Sequence, residues 1–132
     1  MSIEYCAESK IFNIKTKNTS YVLGVILDKD LVNLHYGKKI DNYVIDFENL
    51  PFRGQCFAPN DVKGYGLSTD TMSMEYPCYG SGDLRTPAFH AEYENGSRIT
   101  KLEYDSFEIF KGKKKLSGLP VLNLTDHGIA IS

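Results

Sequence analysis

The stretch Ser20-Tyr21-Val22-Leu23-Gly24-Val25-Ile26-Leu27 decides the fold class of this 132-residue chain. It consists mostly of β-branched, aromatic and aliphatic residues between polar ones, a composition that predicts a β-strand. A second run of the same kind, Leu31-Val32-Asn33-Leu34-His35-Tyr36, follows after only Asp28-Lys29-Asp30. Two strands with so short a connection predict an antiparallel hairpin, and Gly37 is expected to interrupt its second strand.

The segments on either side of this hairpin also predict strands. Residues 11–15 alternate around Ile11 and Asn13, which favours a strand before the hairpin. Beyond it, Phe89, Ala91 and Tyr93 fall on one face of an extended segment, and Glu94-Asn95-Gly96 is typical of a turn. Residues 99–110 carry further aromatic and aliphatic residues and predict the returning strand of a second hairpin.

Helical signals are weak throughout the chain. No segment of ten or more residues sustains apolar spacing at i, i+3, i+4 and i+7. Nine tyrosines and seven phenylalanines favour the half-buried surface of a sheet. Residues 41–70 mix proline, glycine and asparagine with weak strand signals and predict a long loop, whose aromatic residues favour packing over disorder. The sequence therefore predicts an all-β, antiparallel fold with little helix.

Size, composition and charge indicate what kind of protein this is and which partners are not expected. Hydrophobic residues make up 42% of the chain and charged residues 24%, proportions that are ordinary for a single globular domain of this length. The formal net charge of -2 supplies no positive field for a polyanion, so nucleic acid is not an expected partner. No stretch approaches the ~20 apolar residues of a membrane-spanning helix, so no membrane partner is expected.

The cysteines favour a reducing environment. Cys6, Cys56 and Cys78 include no Cys-x-x-Cys pair, and an odd number leaves one thiol unpaired in any disulfide scheme. Residues 1–10 contain no basic segment followed by an apolar run, the pattern of an export signal. We therefore expect a cytoplasmic protein. Cys56 is interpreted as a small packing residue rather than a reactive thiol.

Glu75 and Asp83 are two acidic residues that could form a catalytic pair. Two carboxyl groups about 5 Å apart can cleave a glycosidic bond, one as nucleophile and one as acid/base. The intervening residues are rich in glycine and turn-forming types, and carboxylates in such surroundings more commonly accept hydrogen bonds that stabilise turns. We therefore predict no catalytic residue in this chain.

Asp83 and Arg85 are the candidate ligand-binding residues. One residue separates them, so in an extended segment their side chains point to the same side. A carboxylate and a guanidinium so placed can form a charge-assisted contact that holds a neighbouring segment, which is the preferred interpretation. The alternative is that both groups bind the hydroxyls of a sugar.

The histidines predict no metal site and no cofactor. His35, His90 and His127 lie far apart, without the spacing of a metal-binding pair and without a nearby cysteine cluster. His90 alternates with Phe89 and Ala91, which predicts that it faces solvent or an interface.

A set of short motifs occurs in order along residues 3–120. It includes Ala58-Pro59-Asn60, Glu75-Tyr76-Pro77, Tyr79-Gly80, Asp83-Leu84-Arg85 and Gly118-Leu119-Pro120. This set resembles the N-terminal domain of the family 36 glycoside hydrolases, the α-galactosidases. The resemblance implies an antiparallel β-sandwich of the galactose-mutarotase-like supersandwich type over residues 1–120, with residues 121–132 as a tail that departs from the pattern.

The resemblance also implies that catalysis and structural support belong to different domains of the enzyme. In that family a separate (β/α)8 barrel carries the catalytic aspartates that hydrolyse α-galactosides such as melibiose and raffinose. We therefore expect a non-catalytic domain, inactive alone, with a structural and oligomer-assembly role. Its implied partners are the catalytic barrel of a parent enzyme, further copies of the chain in a homo-oligomer, and galactosides. The alternative is a free-standing carbohydrate-binding module, favoured by tyrosine rings that can stack on sugars.

Overall fold

The computed structural model describes residues 1–44, 69, 72–81, 86–112, 117–118 and 129–131. The ordered elements in these ranges are β1 (Ser2–Cys6), β2 (Ile11–Lys15), β3 (Thr19–Ile26), β4 (Asp30–Lys38), a 3-10 turn (Tyr79–Ser81), β5 (Ile109–Lys111) and β6 (Ile129–Ile131). The described ranges contain no α-helix, and every strand pairing in them is antiparallel. The prediction of an all-β, antiparallel fold is confirmed. In the described part of the chain, no helix is long and apolar enough to cross a membrane.

Four strands form a sheet in the order β1-β2-β3-β4, so each strand pairs with its neighbour in sequence. β5 and β6 form a second, two-stranded sheet. The predicted strand at residues 11–15 coincides with β2, and the predicted hairpin over residues 20–36 is β3 and β4. The sequence reasoning missed β1, because Ile3 and Tyr5 are its only large apolar residues and give a short, weak alternation.

The turn between β3 and β4 has an unusual backbone. Leu27 and Asp28 both adopt left-handed conformations, with φ of 52° and 60°, and the Lys29 N–H donates to the Ile26 carbonyl oxygen at 3.1 Å. Positive φ at both central residues is the feature of a type I′ turn, whose twist matches that of the flanking strands. The turn therefore joins β3 directly to its antiparallel partner.

β4 is longer and less regular than predicted. Its pairing with β3 shifts between Val22 and Leu23, which pair with His35 and Asn33. Leu34 is thus an extra residue, and a bulge of this kind increases the local twist of the strand. The expectation that Gly37 interrupts the strand is wrong, because Gly37 pairs with Ser20 and β4 continues to Lys38.

One face of the sheet, the front face, carries an aromatic core. Phe12, Leu23 and Val25 are buried there, and Tyr5 and Phe107 pack against them. The Phe12 and Phe107 rings lie 4.8 Å apart at 84°, and the Tyr5 ring lies 4.6 Å from that of Phe12. Edge-to-face pairs at such distances add to the stabilisation from burial. The chain around Phe107 therefore covers one end of the front face.

The back face is apolar at one end and polar at the other. Ile26, Val32 and Met72 form its buried apolar cluster. At the polar end the Ser20 hydroxyl accepts a hydrogen bond from the Ile40 N–H at 3.1 Å and donates one to the Ile40 carbonyl oxygen at 3.2 Å. Nearby, the buried Lys15 ammonium lies 2.8 Å from a carboxylate oxygen of Glu4. The residues after β4 are thus held on the sheet by polar contacts.

The predicted second hairpin over residues 89–110 is wrong except at its turn. The turn at residues 94–96 is confirmed, since the Tyr93 N–H donates to the Ser97 carbonyl oxygen at 2.9 Å and Gly96 has a φ of 76°. Only Ile109–Lys111 of the flanking segments forms a strand, and its partner is β6. The physical reason is that backbone N–H groups of Gly80, Ala88, Leu102 and Tyr104 bond across segments instead of building a ladder here.

We predict that Phe12→Ala lowers the free energy of unfolding by about 3–5 kcal/mol, because it leaves a cavity between two rings in the front-face core. Phe12 is 2% exposed. The matched control is Phe89→Ala, since Phe89 is 48% exposed and should change stability by about 0.5 kcal/mol or less. Urea unfolding of both variants measures the difference, and equal losses would contradict the placement of this core.

Candidate functional site

The functional candidates that the structure describes lie along the outer edge of β4. Residues 73–75 run against this edge, with an isolated antiparallel bridge between Val32 and Met74. The Asn33 N–H donates to the Ser73 carbonyl oxygen at 2.8 Å, and the Glu75 N–H donates to the Leu31 carbonyl oxygen at 3.0 Å. These bonds pair backbone groups that an edge strand would otherwise leave open to another chain. They also fix the position of the Glu75 side chain.

The Glu75 carboxylate accepts a hydrogen bond from the Tyr21 hydroxyl. Burial raises the pKa of Tyr21 above its ordinary value, and the bond to Glu75 raises it further. The Tyr21 ring also contacts the Tyr36 ring edge-on, at 5.8 Å and 78°. The role of Glu75 seen here is thus to join residues 73–75 to β3. The prediction that Glu75 accepts a hydrogen bond to stabilise a turn is wrong about the turn, because its donor is Tyr21, which lies 54 residues away in the sequence.

Most of the other sequence candidates fall in undescribed ranges. Asp83 and Arg85, the candidate ligand-binding residues, lie outside the described residues, as do Cys56 and His127. The proposed clamp between Asp83 and Arg85, its sugar-binding alternative and the distance from Glu75 to Asp83 therefore stay predictions. Within the described ranges, no group of three histidine, cysteine or acidic residues is arranged to hold a metal ion.

A cavity of about 290 Å³ opens beside the same edge of β4. We call it the edge pocket. Three short segments, far apart in sequence, supply its lining, which consists of Lys29, Leu31, Met74, Tyr76, Leu102, Glu103 and Tyr104. A concave, largely apolar site with a few polar groups is the usual form of a small-molecule site. The sequence reasoning missed this pocket because no motif joins its segments.

Backbone hydrogen bonds hold the three segments together. The Tyr104 N–H donates to the Lys29 carbonyl oxygen at 2.7 Å, which ties residues 102–104 to the β3–β4 turn. The Leu102 N–H points at the Cys78 Sγ at 3.4 Å, and Cys78 is itself buried. The Gly80 N–H donates to the Thr100 carbonyl oxygen at 2.8 Å. These bonds therefore hold together the segments that line the pocket, and exposed side chains such as Tyr76 and Leu102 form part of its surface.

The rim of the edge pocket carries charges of both signs. Lys29 and Glu103 both line it, and the Glu103 carboxylate lies 2.7 Å from the Lys101 ammonium. Burial raises the pKa of Tyr104, whose side chain packs against the front-face core. The pocket is therefore mostly apolar, and the two charged residues in its lining already have partners.

The remaining described candidates show no chemical site. His90 is exposed, as predicted, and its ring meets that of Tyr79 edge-on at 6.1 Å. Cys6 is an exposed free thiol, and a hydrogen bond from Ser9 lowers its pKa. Cys78 is buried and is not part of a disulfide.

We predict that Tyr21→Phe is less stable than the parent chain at pH 7, by about 1 kcal/mol, because Glu75 loses its donor. Since the fold raises the pKa of Tyr21 above 10.0, the contribution of this hydroxyl is complete below pH 10 and is lost as pH rises through the higher folded value. The gap between the two proteins should therefore narrow above pH 10. Lys15 and Tyr104 also have raised pKa values, but both residues are present in both proteins. Their contributions to the difference in stability therefore cancel.

Urea unfolding at a series of pH values measures this difference in stability. The series extends to pH ~11.5, which is above the ordinary pKa of tyrosine. A gap that stays constant across the series would contradict the coupling between Tyr21 and Glu75.

We predict that Gly80→Ala destabilises the chain by roughly 1–3 kcal/mol, the usual result of overpacking. A Cβ at this position would lie 2.6 Å from the Thr100 carbonyl oxygen and 2.8 Å from the Lys101 Cβ. Backbone would have to move to admit it. Gly37→Ala is the control, since its Cβ would approach only the movable His35 ring, at 3.4 Å. Thermal unfolding compares the two, and an unchanged Tm for Gly80→Ala would contradict the close contact.

Comparison with known proteins identifies the family. Residues 29–128 match the glycosyl hydrolase family 36 N-terminal domain. The chain is 36% identical to the alpha-galactosidase AgaA of Geobacillus stearothermophilus over 91% of its own length and 16% of that protein. The crystal structure of the GH36 alpha-galactosidase AgaB from the same organism aligns with a TM-score of 0.77 and 34% identity, covering 92% of this chain and 16% of that one.

The galactosidase domain of the alpha-galactosidase-sucrose kinase AgaSK, a protein of Mediterraneibacter gnavus, gives a TM-score of 0.81 at 32% identity. That alignment covers 95% of this chain and 18% of the AgaSK domain. The chain thus spans a small part of each relative, and the matched region is the N-terminal domain of the family. Because sequence and fold agree over nearly its whole length, the chain belongs to glycoside hydrolase family 36, as an N-terminal domain.

Proposed function

We propose that this chain is a non-catalytic domain that packs against and stabilises the catalytic domain of an α-galactosidase. We also propose that it takes part in the oligomeric assembly of that enzyme. The observation that carries the proposal is the match to a family N-terminal domain combined with coverage of only 16% of AgaA. Most of an enzyme of this family lies outside the matched region. The partners proposed are therefore the catalytic domain and further copies of the chain.

A row of apolar side chains on the front face supports this role. Ile3, Ile14, Tyr21 and Tyr36 are successive partners across all four strands. Tyr36 ends the row and is 74% exposed, whereas the aromatic core at the other end of the face is covered by Phe107. An apolar sheet face of this kind is stabilised when another layer covers it. We call these four residues the front row and propose that the remainder of the enzyme covers it.

The chemistry of the described residues supports a non-catalytic role. Hydrolysis of a glycoside by the two-carboxyl mechanism needs one nucleophile and one acid/base about 5 Å apart. The Glu75 carboxylate is bonded to Tyr21 and links two segments. We propose that α-galactosides such as melibiose and raffinose are substrates of the whole enzyme, and that the chain alone turns over none of them. A cytoplasmic location is proposed as well, supported by the free thiols of Cys6 and Cys78.

The test replaces the matching region of AgaA with this chain and measures melibiose hydrolysis. We expect a soluble, active hybrid, because the folds superpose over most of this chain. Tyr36→Asp in the hybrid should reduce activity and shift the elution volume, since it places a charge in the covered front row at a cost of several kcal/mol. The control is Tyr93→Asp, which changes a half-exposed tyrosine outside the row.

Three results would contradict the proposal. The first is an inactive, well-folded hybrid, and the second is a Tyr36→Asp hybrid that behaves like the control. The third is turnover of an aryl α-galactoside by the purified chain that disappears with Asp83→Asn, which would make the chain an enzyme by itself. Light scattering of the chain at high concentration tests self-association directly, and a stable monomer would remove the assembly role.

A further inference from the structure

We propose that the turn at residues 94–96 is a site of spontaneous covalent modification, at which Asn95 is converted to aspartate and isoaspartate. This inference goes beyond the proposed role in the enzyme and does not depend on it. It rests on the residue that follows Asn95, on the open space around the turn and on a hydrogen bond to the Asn95 side chain.

The reaction needs only the atoms of the turn and water. The Gly96 backbone nitrogen loses its proton and attacks Cγ of the Asn95 side chain, so that a bond forms between them. The bond from Cγ to Nδ2 then breaks, and Nδ2 takes up a proton and leaves as ammonia. Water opens the cyclic imide at either of its carbonyl carbons, which gives aspartate or isoaspartate. Because the reacting groups belong to neighbouring residues, the attack is intramolecular and correspondingly favourable.

The residue that follows Asn95 makes it the most reactive asparagine. Asn95 is the one asparagine of the chain that precedes a glycine. Glycine has no Cβ, so its nitrogen is open to attack and its backbone can rotate towards the preceding side chain. Asn18 and Asn42 are also exposed, but a threonine and a tyrosine follow them, and these side chains hinder approach to the nitrogen. Asparagine is a thermolabile residue, and Asn95 is the expected first site.

The turn is exposed and has room for the reaction. Glu94, Asn95 and Gly96 are all exposed. Among the described residues, nothing lies within 4 Å of the place where a Cβ on Gly96 would be. The Gly96 N–H donates to the Tyr93 carbonyl oxygen at 2.8 Å, so this bond must open before the nitrogen can attack. Exposed loop tips open at little cost in free energy, and the folded chain can therefore react.

A backbone donor already points at the oxygen that gains charge during the attack. The Ser97 N–H donates to Asn95 Oδ1 at 3.0 Å. When a nitrogen attacks Cγ, negative charge develops on this oxygen, and a donor held in place stabilises that charge more than it stabilises the neutral amide. The Tyr93 N–H bonds to the Ser97 carbonyl oxygen at 2.9 Å and holds Ser97 in position. The contacts that fix the turn therefore also promote its modification.

Conversion changes both the charge and the backbone of the turn. The product carries a carboxylate next to that of Glu94, and like charges so close repel each other. Isoaspartate also routes the main chain through the former side chain of Asn95, which lengthens the turn by a carbon atom. The hydrogen bond between Tyr93 and Ser97 is thereby weakened, so the modified chain is expected to be less stable.

The test incubates the native full chain at mildly alkaline pH and body temperature, and follows every asparagine by peptide mass spectrometry and an isoaspartate assay. The peptide that contains Asn95 is expected to gain the mass of an amide-to-acid conversion first. Its rate should rise with pH, because the Gly96 nitrogen must lose its proton. Asn95→Gln should remove the change, since the longer side chain closes a less favourable ring. Gly96→Ala should slow it severalfold, and Asn18 and Asn42 are the internal controls.

Thermal unfolding shows whether each variant keeps the fold. The proposal is overturned if Asn18 or Asn42 converts before Asn95, or if Asn95 converts only in urea, where the turn is unfolded. It is also overturned if a folded Gly96→Ala chain converts as fast as the parent chain. Each of these results leaves the proposed role in the enzyme intact, because that role is tested in the hybrid.

Discussion

The pairing of β3 with β4 is the constraint on which the rest of the described structure depends. β3 lies inside the sheet, and its side chains alternate between two cores, with Leu23 and Val25 in front and Val22 and Ile26 behind. The turn at Leu27 and Asp28 sets the register of this pair. A shift of one residue would exchange the two faces and bury the wrong side chains. Both cores are therefore linked to the geometry of one turn.

The open edge of β4 is the place where distant parts of the chain meet. Residues 73–75 bond to it, and the β3–β4 turn accepts a bond from Tyr104. Tyr21 reaches from the sheet to Glu75 and joins the added segment to the core. The same contacts that protect an edge from unwanted pairing thus create the edge pocket. The same backbone bonds thus contribute to the stability of the domain and to the shape of the edge pocket.

The family relation places this chain within one region of much larger proteins. Its match lies in an N-terminal domain and covers a small share of each α-galactosidase. Such a domain contributes surfaces to a larger protein, and we propose the front row as one of them. We therefore propose that this chain acts through the contacts that its faces and edges make.

The sequence by itself determined β2, β3, β4, the all-β class and the turn at residues 94–96. Each depends on neighbouring residues, through side-chain alternation or the conformational freedom of glycine, and such local preferences are visible in the order of residues. The motifs also pointed to the family, which the comparisons confirm. Asp83 and Arg85, the sequence candidates for ligand binding, lie outside the described residues and stay predictions.

Only the tertiary structure decided the backbone conformation of residues 99–108 and the existence of the edge pocket. Their composition predicts a strand, but their backbone donors found partners in other segments, such as the Tyr104 N–H at Lys29. The contact between Tyr21 and Glu75 likewise joins residues 54 positions apart. Contacts of this kind depend on how the whole chain packs, because a backbone N–H bonds to whichever buried acceptor the fold brings near it.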